Sequence, residues 1–174
     1  MLQFKFFLQD IRRMQGKYKI RILHLWMSRA FIGIFIYRLE RSLFLLFGKY
    51  YGIIRIIFLP IFNFFQCYSN IDIHYKADIK GGLLILHPSV GVVISGLSEI
   101  GYNLSLTGGN IIGIRKACKK GDFIIGDNCS LGANAVILGP VLMGNNIQIG
   151  ACACVIDDFK ENDKVLVGVP GRSI

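Results

Sequence analysis

The stretch IGDNCSLGANAVILGPVLMGNNIQIGACACV, residues 125–155, decides the fold. An aliphatic residue or Met recurs at every sixth position: Ile125, Leu131, Ile137, Met143, Ile149 and Val155. Gly follows four of these, as Gly126, Gly132, Gly144 and Gly150, and small or branched residues take the fifth place of each hexad at Cys129, Ala135, Val141, Ile147 and Ala153. A period of six matches neither the turn of a helix nor the simple alternation of a strand. It matches short strands joined by tight corners, with one aliphatic residue per strand pointing inward and the following Gly easing the turn. A conventional β-sandwich would need all of these repeats to coincide by chance.

Working outward, the same step recurs as Ile73, Ile79, Ile85 and as Ile100, Leu106, Ile112. The phase slips around Gly91 and is lost between Gly113 and Asp122. Three hexads close one triangular coil, so residues 71–157 provide about five coils of a parallel hexapeptide solenoid, each burying its aliphatic ladder on the next. Residues 66–174 are therefore read as an all-β solenoid domain with a C-terminal tail.

Residues 1–65 differ in kind. They hold eleven Lys and Arg against Asp10 and Glu40, and sixteen of the twenty-one aromatic residues, so the net charge of +9 resides here while the remainder is neutral. The segment reads as helices over 3–14, over 18–47 with a break near Gly33, and over 49–65 with an interruption at Pro60. Leu43, Leu46, Phe47, Tyr50, Ile54 and Ile57 recur at three and four, forming an amphipathic stripe with Lys49 and Arg55 outside it. Two readings stand: a helical cap on the first coil or on neighbouring subunits, and peripheral contact with an anionic membrane surface. Nucleic-acid binding ranks below both, because the basic residues are interleaved with bulky apolar ones.

Composition narrows the class further. A chain of 174 residues is too short for a multidomain enzyme, and 53% hydrophobic against 18% charged residues excludes disorder as the overall state. Cys67, Cys118, Cys129, Cys152 and Cys154 form an odd set without CxxC spacing, which suits a reducing cytoplasm better than a disulfide framework or a zinc ribbon. The opening MLQFKFFLQDIRR lacks the features of a signal peptide. The longest charge-free run, Ile56 to Ile71, is shorter than the roughly 20 residues of a spanning helix, so no membrane span is expected.

Chemistry on the coils starts from His24, His74 and His87, the three histidines of the chain. His24 lies in the helical segment, which leaves too few imidazoles on the solenoid for a three-His zinc site. One His with one carboxylate suffices for a general base: the imidazole takes the proton of an attacking hydroxyl, and the carboxylate fixes its tautomer. Asp72 is the candidate partner of His87. They are fifteen residues apart; in an eighteen-residue coil His87 would fall just short of a position above Asp72, across one corner. A lone His near a turn is more often structural than catalytic.

Asp72-Ile73-His74, then His87-Pro88, then Gly91-Val92-Val93-Ile94-Ser95, IGDNCSLGANAVILG (125–139), IGACACV (149–155) and GVPGR (168–172) together resemble the serine acetyltransferase branch of the hexapeptide-repeat acyltransferases. The resemblance covers about residues 60–174. It implies a left-handed parallel β-helix, a homotrimer or dimer of trimers, and acetyl-CoA bound between adjacent subunits without any metal. The catalytic pair of that family matches Asp72 and His87. The resemblance further implies that Gly132-Ala133 and Gly150-Ala151 run along the pantetheine arm, with the tail near the nucleotide; Arg115, Lys116 and Arg172 are candidates for the CoA phosphates. Cys118 has no base beside it in sequence and is read as a packing residue of its loop.

The acceptor side departs from the pattern. The carboxylate that precedes the catalytic His in serine acetyltransferases is replaced by Leu86, and no His follows His87 to supply the Arg-His pair of their extended loop. The loop GIRKACKKGD (113–122) instead resembles the Arg-Lys-x-Cys loop of branch members in polysaccharide biosynthesis. One extra residue stands between Pro88 and Gly91, and the helical domain is reduced. The expectation is an acetyl-CoA-dependent O-acetyltransferase with a sugar hydroxyl as acceptor, acting in the cytoplasm or on the inner face of the membrane. L-serine is the alternative acceptor, and a non-catalytic trimeric scaffold the third reading.

Overall fold

The computed structural model describes residues 2–17, 20 and 22–173. Its first part is helical: α1 (Leu2–Gln15), α2 (Ile22–Leu25), α3 (Arg29–Phe47) and, after a short 3-10 turn at Gly48–Tyr50, α4 (Tyr51–Ser69). The break in the long helix falls not at Gly33 but at 26–28, where the Ser28 hydroxyl accepts the Phe31 N–H and caps α3. Tyr18, Lys19 and Arg21, at the expected start of that helix, lie outside the described residues. Gly33 is a packing residue: a Cβ there would stand 2.6 Å from Ile71 Cδ1, so its absence lets α3 lie against the first coil. Pro60 sits inside α4 without ending it, and the helix runs four residues beyond Phe65.

α3 and α4 form an antiparallel hairpin. Near the turn the Tyr51 hydroxyl and Arg55 Nε both donate to Glu40 Oε1, at 2.9 and 2.7 Å. At the other end Gly33 faces Ser69. α1 and α3 are pinned to the first coil by a buried network. Arg38 donates to Asp10, Gln3 and the carbonyls of Ile79 and Lys80, while Asp10 accepts the N–H groups of Gly82 and Leu83 at 2.7 Å each. Burial pushes the Asp10 carboxyl upward, and Arg38 pulls against it. The Tyr37 hydroxyl donates to Ala77 O and accepts from Ile79 N, stitching α3 to the same coil. The cap reading therefore holds for α1 and α3.

It does not hold for the outer side of α4. Leu46 and Ile57 of the sequence-read stripe are exposed, as are Phe47 and Tyr50. Within Arg29–Ser69 an 18-residue length is apolar enough to cross a membrane, by length and composition alone, and nearly all of it is exposed. The Arg55 charge on this helix is turned inward to Glu40.

From Ile71 the chain winds into five coils of a parallel prism with three sheets. One face stacks β1 (Ile71–Ile73), β4 (Val92–Ile94), β7 (Asn110–Ile114), β10 (Val136–Gly139) and β13 (Cys154–Val155); the second stacks β2 (Asp78–Ile79), β5 (Glu99–Ile100), β8 (Phe123–Ile125) and β11 (Val141–Met143). The third stacks β3 (Leu84–Ile85), β6 (Ser105–Leu106), β9 (Ser130–Leu131), β12 (Gln148–Ile149) and β14 (Val165–Val167), closed by β15 (Arg172–Ser173), which folds back antiparallel on β14. The architecture is a left-handed parallel β-helix.

The hexad rule survives in full at the core: Ile125, Leu131, Ile137, Met143, Ile149 and Val155, and with them Cys129, Ala135, Val141, Ile147 and Ala153, are all buried. The role expected of the glycines is corrected. The left-handed backbone at these corners belongs to Asn128, Asn134, Asn146 and Cys152, not to Gly126, Gly132, Gly144 or Gly150. Those glycines are needed for stacking. A Cβ on Gly132 would meet Ala151 N at 2.6 Å and one on Gly126 would meet Gly144 O at 2.4 Å. Asn tolerates the left-handed region because its short polar side chain bonds locally. Here Asn103, Asn128, Asn146 and Asp163 also form a ladder, each amide donating to the next side chain.

Candidate active site

Coil lengths set the site. Ile71 pairs with Val92, so the first coil is 21 residues long and not eighteen; Val92 with Asn110 and Val136 with Cys154 return eighteen. The three additional residues form the corner after β3, where His87 precedes a short 3-10 turn at Pro88–Val90. His87 therefore still belongs to the first coil, and the residue paired with Asp72 on the second is Val93.

Asp72 points outward from β1, and His87 is exposed on the corner that leads into β4. They flank one edge of the prism. Among the described residues no hydrogen bond or ion pair joins them. Between the edge and the helices opens a cleft of about 520 Å³ lined by Asp72, Ser89, Val90, Gly91 and Val93, with Gln66, Cys67 and Asn70 from the end of α4 as its other wall. The Asn70 amide donates to Ser89 O at 3.2 Å and ties that wall to the corner. Sequence reading missed the α4 contribution, since nothing in a helical period says which later loop its last turn will meet.

The imidazole beside Asp72 in sequence is otherwise employed. His74 Nδ1 accepts the Lys76 N–H at 3.1 Å, and its ring stacks on Tyr75 with centroids 4.4 Å apart. Burial, helped by Lys76 and Arg55, holds His74 below the ordinary histidine pKa against the opposing pull of Asp72.

The corner that carries His87 repeats on every coil. His87, Gly108-Gly109, Gly132-Ala133, Gly150-Ala151 and Gly168-Val169 each follow a strand of the third sheet and lead toward the first. They are stacked by hydrogen bonds: His87 N to Thr107 O, Gly109 N to Gly91 O, Asn134 N to Gly108 O, and Cys152 N to Ala133 O. At about 4.8 Å per rung, His87 heads a row of small residues roughly 15–20 Å long. Gly132 and Gly150 donate their N–H groups to Ile149 O and Leu166 O, whereas among the described residues the N–H groups of Ala133 and Ala151 take no part in the coil-to-coil bonds. Small side chains flanked by uncommitted donors suit an extended amide-bearing chain laid along the edge, which is the chemistry of a pantetheine arm.

The basic candidates divide. Arg172 lies on β15 just past the last rung, exposed at the end of the row. Arg115 and Lys116 follow β7 on a different edge of the prism. Arg115 Nη2 donates to Ile156 O at 2.5 Å and lies 4.0 Å from Asp157, so it is engaged with a later coil of its own chain. One chain does not bring Arg115 and Lys116 to the row that holds Gly132, Ala133, Gly150 and Ala151. Cys118 packs partly on the core, and burial together with Asp122 pushes its thiol pKa up, in keeping with a packing role.

A buried polar residue unforeseen in the sequence organises the row. Asn110 stands at an inward position of β7, fully buried; its Oδ1 accepts the Gly108 N–H, and its amide donates to Gly132 O and Ala135 O. Gly108 in turn lies directly under the corner: a Cβ there would be 2.4 Å from His87 O.

No family model matches the chain. Among curated proteins it is similar to serine acetyltransferases of Mycobacterium tuberculosis, 32% identical over 64% of this chain and 48% of that one, and of Synechocystis, 39% identical over 62% and 43%. The chain thus spans about half or less of the length of these relatives. Among solved structures it resembles the serine acetyltransferase of Neisseria gonorrhoeae, with a TM-score of 0.81 and 26% identity over 99% of this chain and 66% of that one. It also shares the fold of a Brucella abortus serine acetyltransferase in complex with coenzyme A, with a TM-score of 0.78 and 22% identity over 98% and 66%. These likenesses support a hexapeptide-repeat acyltransferase. They do not support the polysaccharide branch expected from the Arg-Lys-x-Cys loop.

Proposed function

We propose that this chain is an acetyl-CoA-dependent O-acetyltransferase with L-serine as its acceptor. The observation that carries the chemistry is the position of His87, at the head of a row of small residues and on the same edge as Asp72 and its cleft. The choice of serine rests on the relatives named above.

In this mechanism acetyl-CoA supplies the acetyl group. Gly132, Ala133, Gly150 and Ala151 line its pantetheine arm, and Arg172 answers a phosphate at the end of the row. His87 accepts the proton of the acceptor hydroxyl as the oxygen attacks the thioester carbon. Asp72 orients the imidazole and balances its charge, a contact of the kind that tightens when substrate is bound. As the C–S bond breaks, His87 gives the proton to the departing CoA thiolate, so no metal is required.

We infer a homotrimer as the active form. The outward residues of the first face beside Asp72, Val93 and Ile111, are apolar and exposed, which suits burial against another copy. A neighbouring copy is also the source from which Arg115 and Lys116 could reach a ligand on the row.

A second reading, a sugar hydroxyl as acceptor, is favoured by one observation: Leu86, beside His87, is 53% exposed where an amino-acid acceptor would want a carboxylate for its ammonium group. The test is release of CoA thiol from acetyl-CoA with L-serine and with a panel of nucleotide sugars and oligosaccharides, with His87→Ala as control. Release with serine, reduced at least about a hundredfold in the variant, is expected. Release with sugar alone would replace serine, and a folded His87→Ala protein with full activity would overturn the mechanism.

A further inference from the structure

The helical hairpin leaves a face that the solenoid does not use. On α4, Ile53, Ile57, Ile61, Phe64 and Tyr68 recur at three and four and are between 47% and 75% exposed; Leu46 continues the face at the turn. A cation sits over a tyrosine ring at each end of this stripe: Lys49 over Tyr50 at the turn, at 5.3 Å, and Arg29 over Tyr68 at the far end, at 6.0 Å. The 19 residues of α4 separate the two pairs by about 28 Å.

The charge of the face has one sign. The two carboxylates before residue 66, Asp10 and Glu40, are both buried, and each is bound to an arginine, Arg38 and Arg55 respectively. No acidic side chain of the segment is left to answer Lys49, Arg29 or the other outward cations. A second copy seated on this face by two-fold symmetry would set cation against cation. An anionic headgroup layer supplies the missing charge, while the acyl boundary takes the isoleucines and Phe64, and the tyrosines stay at the headgroup level.

We propose that the outer face of the α3–α4 hairpin docks in the plane of an anionic lipid bilayer. The hairpin lies on the surface and does not span it, because α3 carries buried Arg38, Glu40 and Arg41 and is bonded to the first coil. The last turn of α4 supplies Gln66, Cys67 and Asn70 to the cleft beside Asp72, so docking holds the candidate active site next to the headgroups. The inference is independent of the acetyl-transfer chemistry, and the two fail separately: one is read by lipid binding, the other by thiol release.

The test is flotation of the full chain with vesicles of phosphatidylcholine containing phosphatidylglycerol, against phosphatidylcholine alone. Binding to the anionic vesicles is expected at least about tenfold above the neutral ones, weakening as salt is raised. Ile57→Glu/Phe64→Glu and, separately, Arg29→Glu/Lys49→Glu should each lower that binding about tenfold or more with the far-UV spectrum and melting temperature retained. Equal flotation with both vesicle types, or folded variants that bind like the parent, would overturn the proposal. So would loss of a larger solution mass in Ile57→Glu/Phe64→Glu when the parent binds no vesicles, which would assign the face to a second copy.

Discussion

Gly108 shows how little space the site leaves at the residue scale. Its φ of +139° lies outside the range open to most side chains, and a methyl group there would press on the His87 carbonyl. The prediction is that Gly108→Ala displaces the His87 corner and lowers kcat/KM for acetyl transfer by about tenfold to a hundredfold, since a displacement near 1 Å is enough for such losses. Thiol-release kinetics beside a thermal melt checks it; unchanged kinetics in a folded variant would detach Gly108 from the site. At the same scale, His74 and His87 look alike in sequence and both are exposed. The His74 ring stacks on Tyr75 and accepts the Lys76 N–H, whereas among the described residues no ring contact or side-chain hydrogen bond engages His87 on its corner.

Among the elements, α1 and α3 are held to the solenoid by few but buried contacts. Asp10 is the hinge of these: it binds the Arg38 guanidinium and two backbone N–H groups of the coil at once. Asp10→Ala would strand a buried cation and two donors, so a loss of about 3–5 kcal/mol is expected in urea unfolding. Asp10→Leu/Arg38→Met should recover much of it, because removing both charges removes the desolvation cost as well. A single variant as stable as the double would show that water reaches Arg38. The sequence held a hint of this, since Asp10 is one of only two acids among 65 residues. Its partners in the coil, some seventy residues away, were not legible from spacing.

As a whole molecule the protein is a one-dimensional stack in which each coil touches only its neighbours, so order should be highest where a coil is covered on both sides. The first coil is covered by α1 and α3, the third and fourth by coils, and the last only by the β14–β15 turn-back. Amide exchange is expected to be at least about tenfold slower in β7, β9 and β10 than in β14 and β15, as measured by hydrogen–deuterium mass spectrometry. Uniform protection from end to end would mean that the stack opens as one unit.

Sequence alone was sufficient for the repeat, because hexad periodicity is a local rule: each buried aliphatic at Ile125, Leu131 or Ile137 reports its own inward direction without knowledge of any distant partner. The count of about five coils was legible on that basis; the helical first segment was read from its own three- and four-residue spacing, and Asp72 and His87 were singled out by their spacing and a family resemblance. Tertiary structure alone decided the rest. The 21-residue first coil kept His87 on the first coil, where an eighteen-residue period would have carried it into the second, and the glycines proved to serve coil-on-coil approach while asparagines took the left-handed turns. Arg115 and Lys116 went to a different edge from Gly132 and Gly150, and the charge of Arg55 turned inward to leave α4 an unbroken apolar face. Each of these depends on which groups stack across coils or between helix and solenoid, and stacking is a long-range property that a local period does not encode.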